Sequence, residues 1–331
     1  MKRILWISVL LLAVTFGALV VFAMRPYQGF KNEAMVEFSR GTPSGTMAKK
    51  LADAGVIRHP MLFQLARVFH PFSKLQAGEY EFIQASSPLE VVGRISRGDI
   101  HYYELSVREG TNIFDIADSV GKLGFLKSDA FLKAARNPLP VRDLAAKAPT
   151  LEGFLFPATY RLTRSTTVDQ LIKMMTDQFR RQWKIALKGG SAKDVLEKVT
   201  LASLVEKESG VPRERPIVAS VYRNRLDKDM KLECDPTTIY AAMMEGRWRG
   251  TIYRSDLANQ HPYNTYQVKG LPPGPIASPG LASLEAALRP AETNFLYFVA
   301  KGDGSGGTNF SADYKAHQRF VAVYRKKQGR R

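Results

Sequence analysis

The sequence predicts an α+β protein in three parts: a single N-terminal transmembrane helix, a small α+β module and a larger mixed α/β domain. Three observations predict this. Residues 4–24 carry no charge, residues 35–145 alternate short strands with short helices, and from about residue 150 longer helices give way to loops rich in Pro and Gly. With 331 residues and 45% hydrophobic content, the chain is long enough for two modest folded domains.

The N-terminal segment is predicted to be an uncleaved membrane anchor. A helix over residues 4–24 rises about 30 Å, which is the thickness of a bilayer core. A cleaved signal peptide has a shorter apolar region and a small-residue exit, whereas this segment runs directly into Arg25 and Pro26. Lys2 and Arg3 favour a cytoplasmic tip at residues 1–3 of an inner-membrane protein, with the bulk of the chain outside. A removed signal peptide is the alternative.

The net charge of +17 and the pI near 9.9 favour anionic partners, although a merely basic soluble surface is an equal alternative. A chain tethered outside the cytoplasm has little access to nucleic acid, so no nucleic-acid partner is predicted. In a bacterium, the anionic polymer outside the membrane is the cell wall. The single cysteine, Cys234, excludes an intrachain disulfide, and the five His show no HExxH-type spacing. No metal and no cofactor are predicted, and Cys234 is expected to be inert.

Residues 35–145 read as a small α+β module. A strand at "MVEFSRG" precedes a helix over about 47–54 capped by Thr46, and Pro60 begins another helix. The order continues with a strand at "LQAGEYEFI", a helix at "SPLEVVGRISRG", a strand at "YYELSVREG" and a capped helix at "TNIFDIADSVGKLG". Short strands and helices in this order are typical of small α+β modules.

The chain changes character over residues 150–331. An aromatic strand or loop, "LEGFLFPATYRL", precedes helices near 167–187, 191–209 and 214–227. Residues 256–280 are rich in Pro, Gly and Asn, and such stiff loops often build the wall of a groove. The remaining predictions are a helix at "LASLEAALRP", two strands around the Gly-rich turn of "FLYFVAKGDGSGGTNF", and a basic terminal helix.

Two acids, Glu206 and Glu208, end the mostly apolar helix that contains "LASLVEKES". They lie about 200° apart around a helix, so only one of them can enter a given cleft, and periodicity does not choose between them. The negative end of a helix dipole and apolar neighbours both disfavour the charged carboxylate. A Glu with a raised pKa can donate a proton near neutral pH. The alternative is a pair of solvated surface charges.

Five strings, "LASLVEKES", "ASVYRNRL", "DPTTIY", "YNTY" and "GLPPGPIASPG", together resemble the endolytic murein transglycosylases of the YceG-like family. The resemblance covers most of residues 150–331 and implies a lytic transglycosylase catalytic domain there. "LQAGEY" and its surrounding elements resemble the LysM-like region of that family, which implies glycan binding by residues 35–145. The resemblance also implies a membrane-anchored lyase that terminates nascent glycan strands close to wall-synthesis enzymes such as penicillin-binding proteins.

The implied reaction cleaves the β-1,4 bond between N-acetylmuramic acid and N-acetylglucosamine and leaves a 1,6-anhydro end. One Glu protonates the leaving oxygen and then accepts the proton of the attacking C6 hydroxyl, so the usual two-carboxylate arrangement is not required. The enzymes of this class carry a Glu-Ser pair at a helix end. The resemblance therefore assigns the acid/base role to Glu208 beside Ser209, with Glu206 as the alternative. Ser209 is expected to orient the carboxylate or the sugar.

Four further residues match family strings. Tyr263 and Asn264 are implied to hold the sugar beside the acid, with a simple polar loop as the alternative. Asp235 is assigned to the substrate groove, or alternatively to the cap of the helix at "PTTIYAAMM". Glu152 also matches a family string, but no chemistry follows for it.

Glu206, if it is not the acid, is expected to form an ion pair with Arg213 or Arg223. A non-catalytic wall-binding or cell-division scaffold protein is the competing function, and a membrane-tethered nucleic-acid binder is the third.

Overall fold

The computed structural model describes residues 2–70 and 72–328, and it leaves the side chains of residues 2–9, 12, 13 and 19 undescribed. The chain forms two compact units. The first contains Met1–Tyr103 and Thr163–Ser165, and the second contains Glu104–Leu162 and Thr166–Arg331. The mixed α+β class is confirmed. The functional division into a glycan-binding region over 35–145 and a catalytic domain over 150–331 stays a prediction.

The N-terminal helix, α1, covers Lys2–Ala23. Across the part of the chain that the structure describes, no helix meets the length and apolarity needed to cross a bilayer. Several side chains of the predicted span at residues 4–24 lie outside that part, as does Met1 of the predicted cytoplasmic tip.

The first unit follows the predicted order of strand, helix, helix, strand and helix. Its elements are β1 (Ala34–Phe38), α2 (Ser44–Asp53), α3 (Pro60–Val68), β2 (Gly78–Phe82) and α4 (Pro88–Arg97). The two strands are antiparallel, with Ala34 opposite Phe82 and Phe38 opposite Gly78. Alternate residues of β1 are buried, so one face of this ribbon packs into a core that the helices complete.

Local signals set the helix ends of this unit. Ser87 and Glu90 form a reciprocal capping box at the start of α4, and Gly98 ends that helix in the left-handed conformation. The predicted cap at Thr46 is wrong. Helix α2 begins at Ser44, three residues earlier than predicted, and no side chain caps it, so Thr46 lies inside the helix.

The second unit contains the remaining elements: β3 (Tyr103–Ser106), α5 (Ile113–Gly121), α6 (Ser128–Ala135), β4 (Thr159–Leu162), α7 (Val168–Leu187), α8 (Val195–Glu208), α9 (Arg215–Asp227), α10 (Asp235–Met244), α11 (Arg254–Leu257), α12 (Leu281–Leu288), β5 (Tyr297–Ala300), β6 (Thr308–Ser311) and α13 (Tyr314–Gln328). Strands β3 and β4 form one two-stranded sheet, and β5 and β6 form another. The predicted hairpin around the Gly-rich turn is confirmed, with Tyr297 opposite Ser311.

Helix α8 lies in the core of the second unit. Helices α9, α10 and α12 all pack against it. Its seven consecutive residues Val199–Val205 are all buried, including Thr200 and Ser203. A helix that is covered on every side shows no single apolar stripe, which explains why periodicity could not choose between its two terminal acids. The predicted start near residue 191 is wrong, because Asp194 adopts a left-handed conformation and the helix begins at Val195.

Candidate active site

Glu208 is the last residue of α8, and its side chain is partly exposed. The helix ends here because Ser209 is extended, with φ of −110° and ψ of 107°. Oε1 of Glu208 accepts a hydrogen bond from the thiol of Cys234 at 3.3 Å. The carboxyl group is therefore anchored on one side while it stays accessible to a ligand.

Cys234 is buried at the N-terminal end of α10, and its expected inertness stays a prediction. Its thiol contacts the candidate acid directly. Two threonines fix its backbone: its N–H donates to Thr265 Oγ1 at 3.0 Å, and its carbonyl accepts from Thr237 Oγ1 at 2.6 Å. The only sequence signal for this contact is the position of Cys234, which immediately precedes the "DPTTIY" string.

Burial raises the pKa of Glu208 above its ordinary value. The hydrogen bond from Cys234 opposes this rise, and the nearby carboxylate of Asp235 adds to it. The Tyr222 hydroxyl also lowers the pKa of Glu208, although it forms no hydrogen bond of ordinary geometry within the described part of the chain. Since Tyr222 is almost fully buried, its hydroxyl is a polar group inside the wall of the site. The balance holds the acid nearer to its protonated form.

Asp235 is the first residue of α10, where it is exposed. The alternative that it caps this helix is wrong: Cys234 occupies the cap position, and no side-chain cap bond is present. Instead, Asp235 Oδ1 accepts a hydrogen bond from the Tyr266 hydroxyl at 2.6 Å. The structure thus brings a second carboxylate close enough to Glu208 to act on its pKa.

Ser209 is buried beside Glu208, and its hydroxyl donates to the Val211 carbonyl at 2.9 Å. This bond fixes the turn that follows α8. The hydroxyl's expected role in orienting the carboxylate or the sugar stays a prediction.

Asn264 is completely buried, and its side chain is fully engaged with the protein. Its amide donates to the carbonyls of Asp256, Leu257 and Asn259 at 3.1, 3.1 and 2.7 Å. Its oxygen accepts from the Thr238 hydroxyl and the Tyr266 N–H. The predicted sugar contact of Asn264 stays a prediction, and this geometry favours a role in fixing the loop that carries Tyr263 and Tyr266.

Tyr263 is 5% exposed and packs on Tyr240, with ring centroids 5.2 Å apart. Its ring also lies 5.9 Å from that of His261. The structure therefore places Tyr263 mainly inside an aromatic cluster, and its predicted contact with the sugar is not tested.

Glu206 lies in a separate ion-pair network, and the predicted partners Arg213 and Arg223 are wrong. Oε1 of Glu206 accepts from Arg215 at 2.9 Å, and Oε2 accepts from the Gly280 N–H at 2.9 Å. The side chains of Glu206 and Arg215 are only 5% and 9% exposed. Both carboxylate oxygens are thus bound to protein donors. This geometry favours Glu208 over Glu206 as the reactive acid, although that assignment is still a prediction.

Glu152 is a fully buried carboxyl group that sequence reasoning left without a role. It accepts hydrogen bonds from the N–H groups of Ile113 at 2.9 Å and of Gly153 at 3.3 Å. Burial raises the pKa of Glu152 to about 8, against the lowering effect of the Ile113 N–H. The Tyr240 hydroxyl adds a further contact, so Glu152 connects the start of α5 to the aromatic cluster around Tyr263.

Over residues 2–70 and 72–328, no group of three His, Cys, Asp or Glu side chains is arranged to hold a metal ion. The chemistry that the described side chains themselves offer is proton transfer at Glu208, with Asp235 as a neighbouring charge.

Glu208 and its neighbours form a candidate single-acid site on a mixed α+β scaffold. The YceG-like family profile matches residues 36–323, so the chain belongs to the YceG-like family. A protein named endolytic murein transglycosylase from Bacillus subtilis is 31% identical over 314 residues, covering 89% of this chain and 85% of the relative. A protein of the same name from Streptococcus pneumoniae is 29% identical, and the match covers 86% of this chain but only 58% of that longer relative.

A crystal structure of a yceG-like protein from Listeria monocytogenes is similar in fold to most of this chain. It has a TM-score of 0.57 and 31% sequence identity, covering 88% of this chain and 99% of the listerial one. The family resemblance expected from the sequence is therefore confirmed.

Proposed function

We propose that this protein is an endolytic lytic transglycosylase of the bacterial cell wall, with Glu208 as its acid and base. The observation that carries the proposal is the state of Glu208: a partly exposed carboxyl group at the end of a buried helix, held by a buried thiol, with its pKa raised by burial. Relatives named endolytic murein transglycosylases support the substrate class and the reaction type.

In the proposed reaction, protonated Glu208 donates its proton to the glycosidic oxygen between N-acetylmuramic acid and N-acetylglucosamine as the C1–O bond breaks. The C6 hydroxyl of the muramoyl sugar then attacks C1 and transfers its proton to the Glu208 carboxylate. The products are a 1,6-anhydro end and a free hydroxyl on the departing sugar. No water is consumed, and the enzyme returns to its starting state.

The remaining site residues receive supporting roles. The raised pKa of Glu208 favours the protonated acid, which the first step requires. The Asp235 carboxylate disfavours a second negative charge beside it. In this proposal it would also stabilise positive charge that develops at C1. Asn264 fixes the loop, while Tyr263, Tyr266 and Ser209 complete the wall on which the sugar rests.

We further propose that residues 4–24 anchor the enzyme in the cytoplasmic membrane, with the folded units outside. The absence of charge over these 21 residues supports this. Cleavage close to the membrane would act on nascent strands and limit their length, and we propose that the enzyme works beside wall-synthesis enzymes. The LysM-like resemblance of residues 35–145 supports glycan binding there.

The test is muropeptide mass analysis of purified wall sacculi digested with wild-type protein and with Glu208→Gln. Wild type should release products with anhydro ends, and Glu208→Gln should release none while its unfolding transition is retained. Glu197→Gln is the matched control, since Glu197 is an exposed acid in the first turn of the same helix. Full activity in Glu208→Gln would refute the assignment. Wall binding by the wild-type protein with no anhydro product would instead identify a non-catalytic scaffold.

A further inference from the structure

An exposed apolar surface lies along α3 and the residues just after it in the first unit. We call it the α3 apolar surface, and it consists of Met61, Leu65, Val68, Phe69 and Phe72. Phe72 is 98% exposed and Met61 is 71% exposed. Met61, Leu65 and Val68 follow the spacing i, i+4, i+7, so they form one stripe along the helix. Single exposed apolar side chains are ordinary, but a contiguous group of this kind marks an interaction site.

This stripe is not the face that holds the helix in its fold. The packing face of α3 is formed by Phe63 and Ala66, which are both fully buried in the core of the first unit. The exposed stripe is therefore a second apolar face on a helix of only nine residues. Because the fold is already satisfied by the first face, the second needs an external partner.

The chain segment that carries this surface contains basic residues and no carboxylate. Residues 54–78 contain no Asp or Glu, and they contain Arg58, Arg67 and Lys74. Arg67 and Lys74 also line a cavity of about 530 Å³ together with Arg40 and the hydroxyl-bearing residues Ser39, Thr42, Ser44 and Ser73. Exposed apolar side chains bordered by cations are typical of surfaces that lie in the interface of an anionic bilayer.

The position of α3 within the first unit points to the same partner. The Arg58 guanidinium, two residues before α3, lies 5.3 Å from the ring centre of Phe22 and 5.0 Å from that of Tyr27. Phe22 is in the last turn of α1, and Met24 packs against the core of the first unit. The start of α3 is thus adjacent to the end of the apolar helix α1.

We infer that the α3 apolar surface docks onto the outer face of the membrane, with its apolar side chains among the acyl chains and its cations on anionic phospholipid headgroups. Two points of attachment, α1 and this surface, would restrict the orientation of the first unit against the bilayer. The inference rests on the proposed membrane location and not on the proposed chemistry. Glycan cleavage can therefore be measured separately from membrane docking, and either can fail without the other.

The experiment uses the full chain in nanodiscs of phosphatidylcholine with phosphatidylglycerol. An environment-sensitive fluorophore is attached at Phe72→Cys and, as the matched control, at Leu139→Cys, which replaces an exposed apolar residue of the second unit. Cys234 is buried, so the labelled wild-type chain measures the background. Emission from position 72 should shift to the blue in nanodiscs and should be quenched by phospholipids brominated on their acyl chains, with neither effect at position 139.

A label at position 72 that is quenched no more than the label at 139 would overturn the inference. So would a blue shift that is equally present in an amphipol without lipid, because a second copy or another protein segment would then cover the surface. A chain that does not associate with nanodiscs at all would also overturn it. Replacing phosphatidylglycerol by phosphatidylcholine should reduce the quenching at position 72, since the headgroup attraction of Arg67 and Lys74 is then lost.

Discussion

The thiol of Cys234 donates a hydrogen bond to Oε1 of Glu208 at 3.3 Å, so a buried cysteine fixes one oxygen of the candidate acid. This bond stabilises the charged carboxylate and lowers the pKa of Glu208 against the effect of burial. Both the position and the pKa of Glu208 therefore depend in part on the Cys234 thiol.

Cys234→Val removes this donor while keeping an apolar side chain of similar size. The pKa of Glu208 should rise further, and because the acid must be protonated to act, the alkaline limb of the pH profile of kcat/KM should move to higher pH. Loss of positioning should also lower activity by about tenfold to hundredfold. Cys234→Ser retains a donor and should preserve most activity. An unchanged pH profile in a folded Cys234→Val protein would contradict this role.

Asp235→Asn should move the alkaline limb of the pH profile of kcat/KM to lower pH. Removing the negative charge near Glu208 removes one cause of its raised pKa. Activity is lost as pH rises through that pKa, so the loss should begin at lower pH than in wild type. Tyr266→Phe keeps the Asp235 charge and removes only its hydrogen bond, which makes it the control. A shift of the limb to higher pH in Asp235→Asn would rule out the electrostatic account.

Replacing Glu206 should reduce the free energy of unfolding much more than replacing Glu208. Glu206→Ala leaves the Arg215 guanidinium buried without its nearest partner and leaves the Gly280 N–H unpaired, so the free energy of unfolding should fall by about 3 kcal/mol. Glu208→Gln should leave that free energy within about 1 kcal/mol of wild type, since its side chain is partly exposed. Urea unfolding of both variants, followed by circular dichroism, measures the difference. Equal losses would show that both acids are structural.

Much of the fold followed from local sequence signals, because those signals act over a few residues. The order of strands and helices in the first unit, the terminal hairpin and the position of both acids at a helix end were all predictable. The partners of those acids were not. Cys234 is 26 residues from Glu208 along the chain, and Arg215 reaches Glu206 only because the chain turns back into α9. Such contacts depend on tertiary packing, which short-range patterns do not encode.

Asn264 should be more important to the loop than its position in a polar segment suggests. Asn264→Ala removes three donated and two accepted hydrogen bonds inside the protein. The carbonyls of Asp256, Leu257 and Asn259, which are buried or partly buried, then lose a partner, and the free energy of unfolding should fall by about 2–4 kcal/mol. Increased hydrogen exchange should be confined to residues near 256–267. A direct sugar contact alone would instead raise KM and leave stability and exchange unchanged.

Glu152 should make the protein less stable as pH rises. Its pKa is raised from 4.5 to about 8 by burial, so between these values the folded state holds a proton that the unfolded state has released. The free energy of unfolding should therefore decrease with increasing pH across this window, with a slope of up to about 1.4 kcal/mol per pH unit from this group.

Glu152→Gln cannot ionise, so it should remove this dependence of the unfolding free energy on pH. The substitution also removes an acceptor from the Ile113 or Gly153 N–H, but that loss of stability is the same at every pH. The measurement is urea unfolding of the full chain in detergent at several pH values from 5 to 8, comparing slopes and not absolute stabilities. Glu197→Gln, at an exposed position, should retain the wild-type slope. Identical slopes in wild type and Glu152→Gln would show that Glu152 has the same protonation state in the folded and unfolded chains. The prediction that folded Glu152 stays protonated would then be refuted.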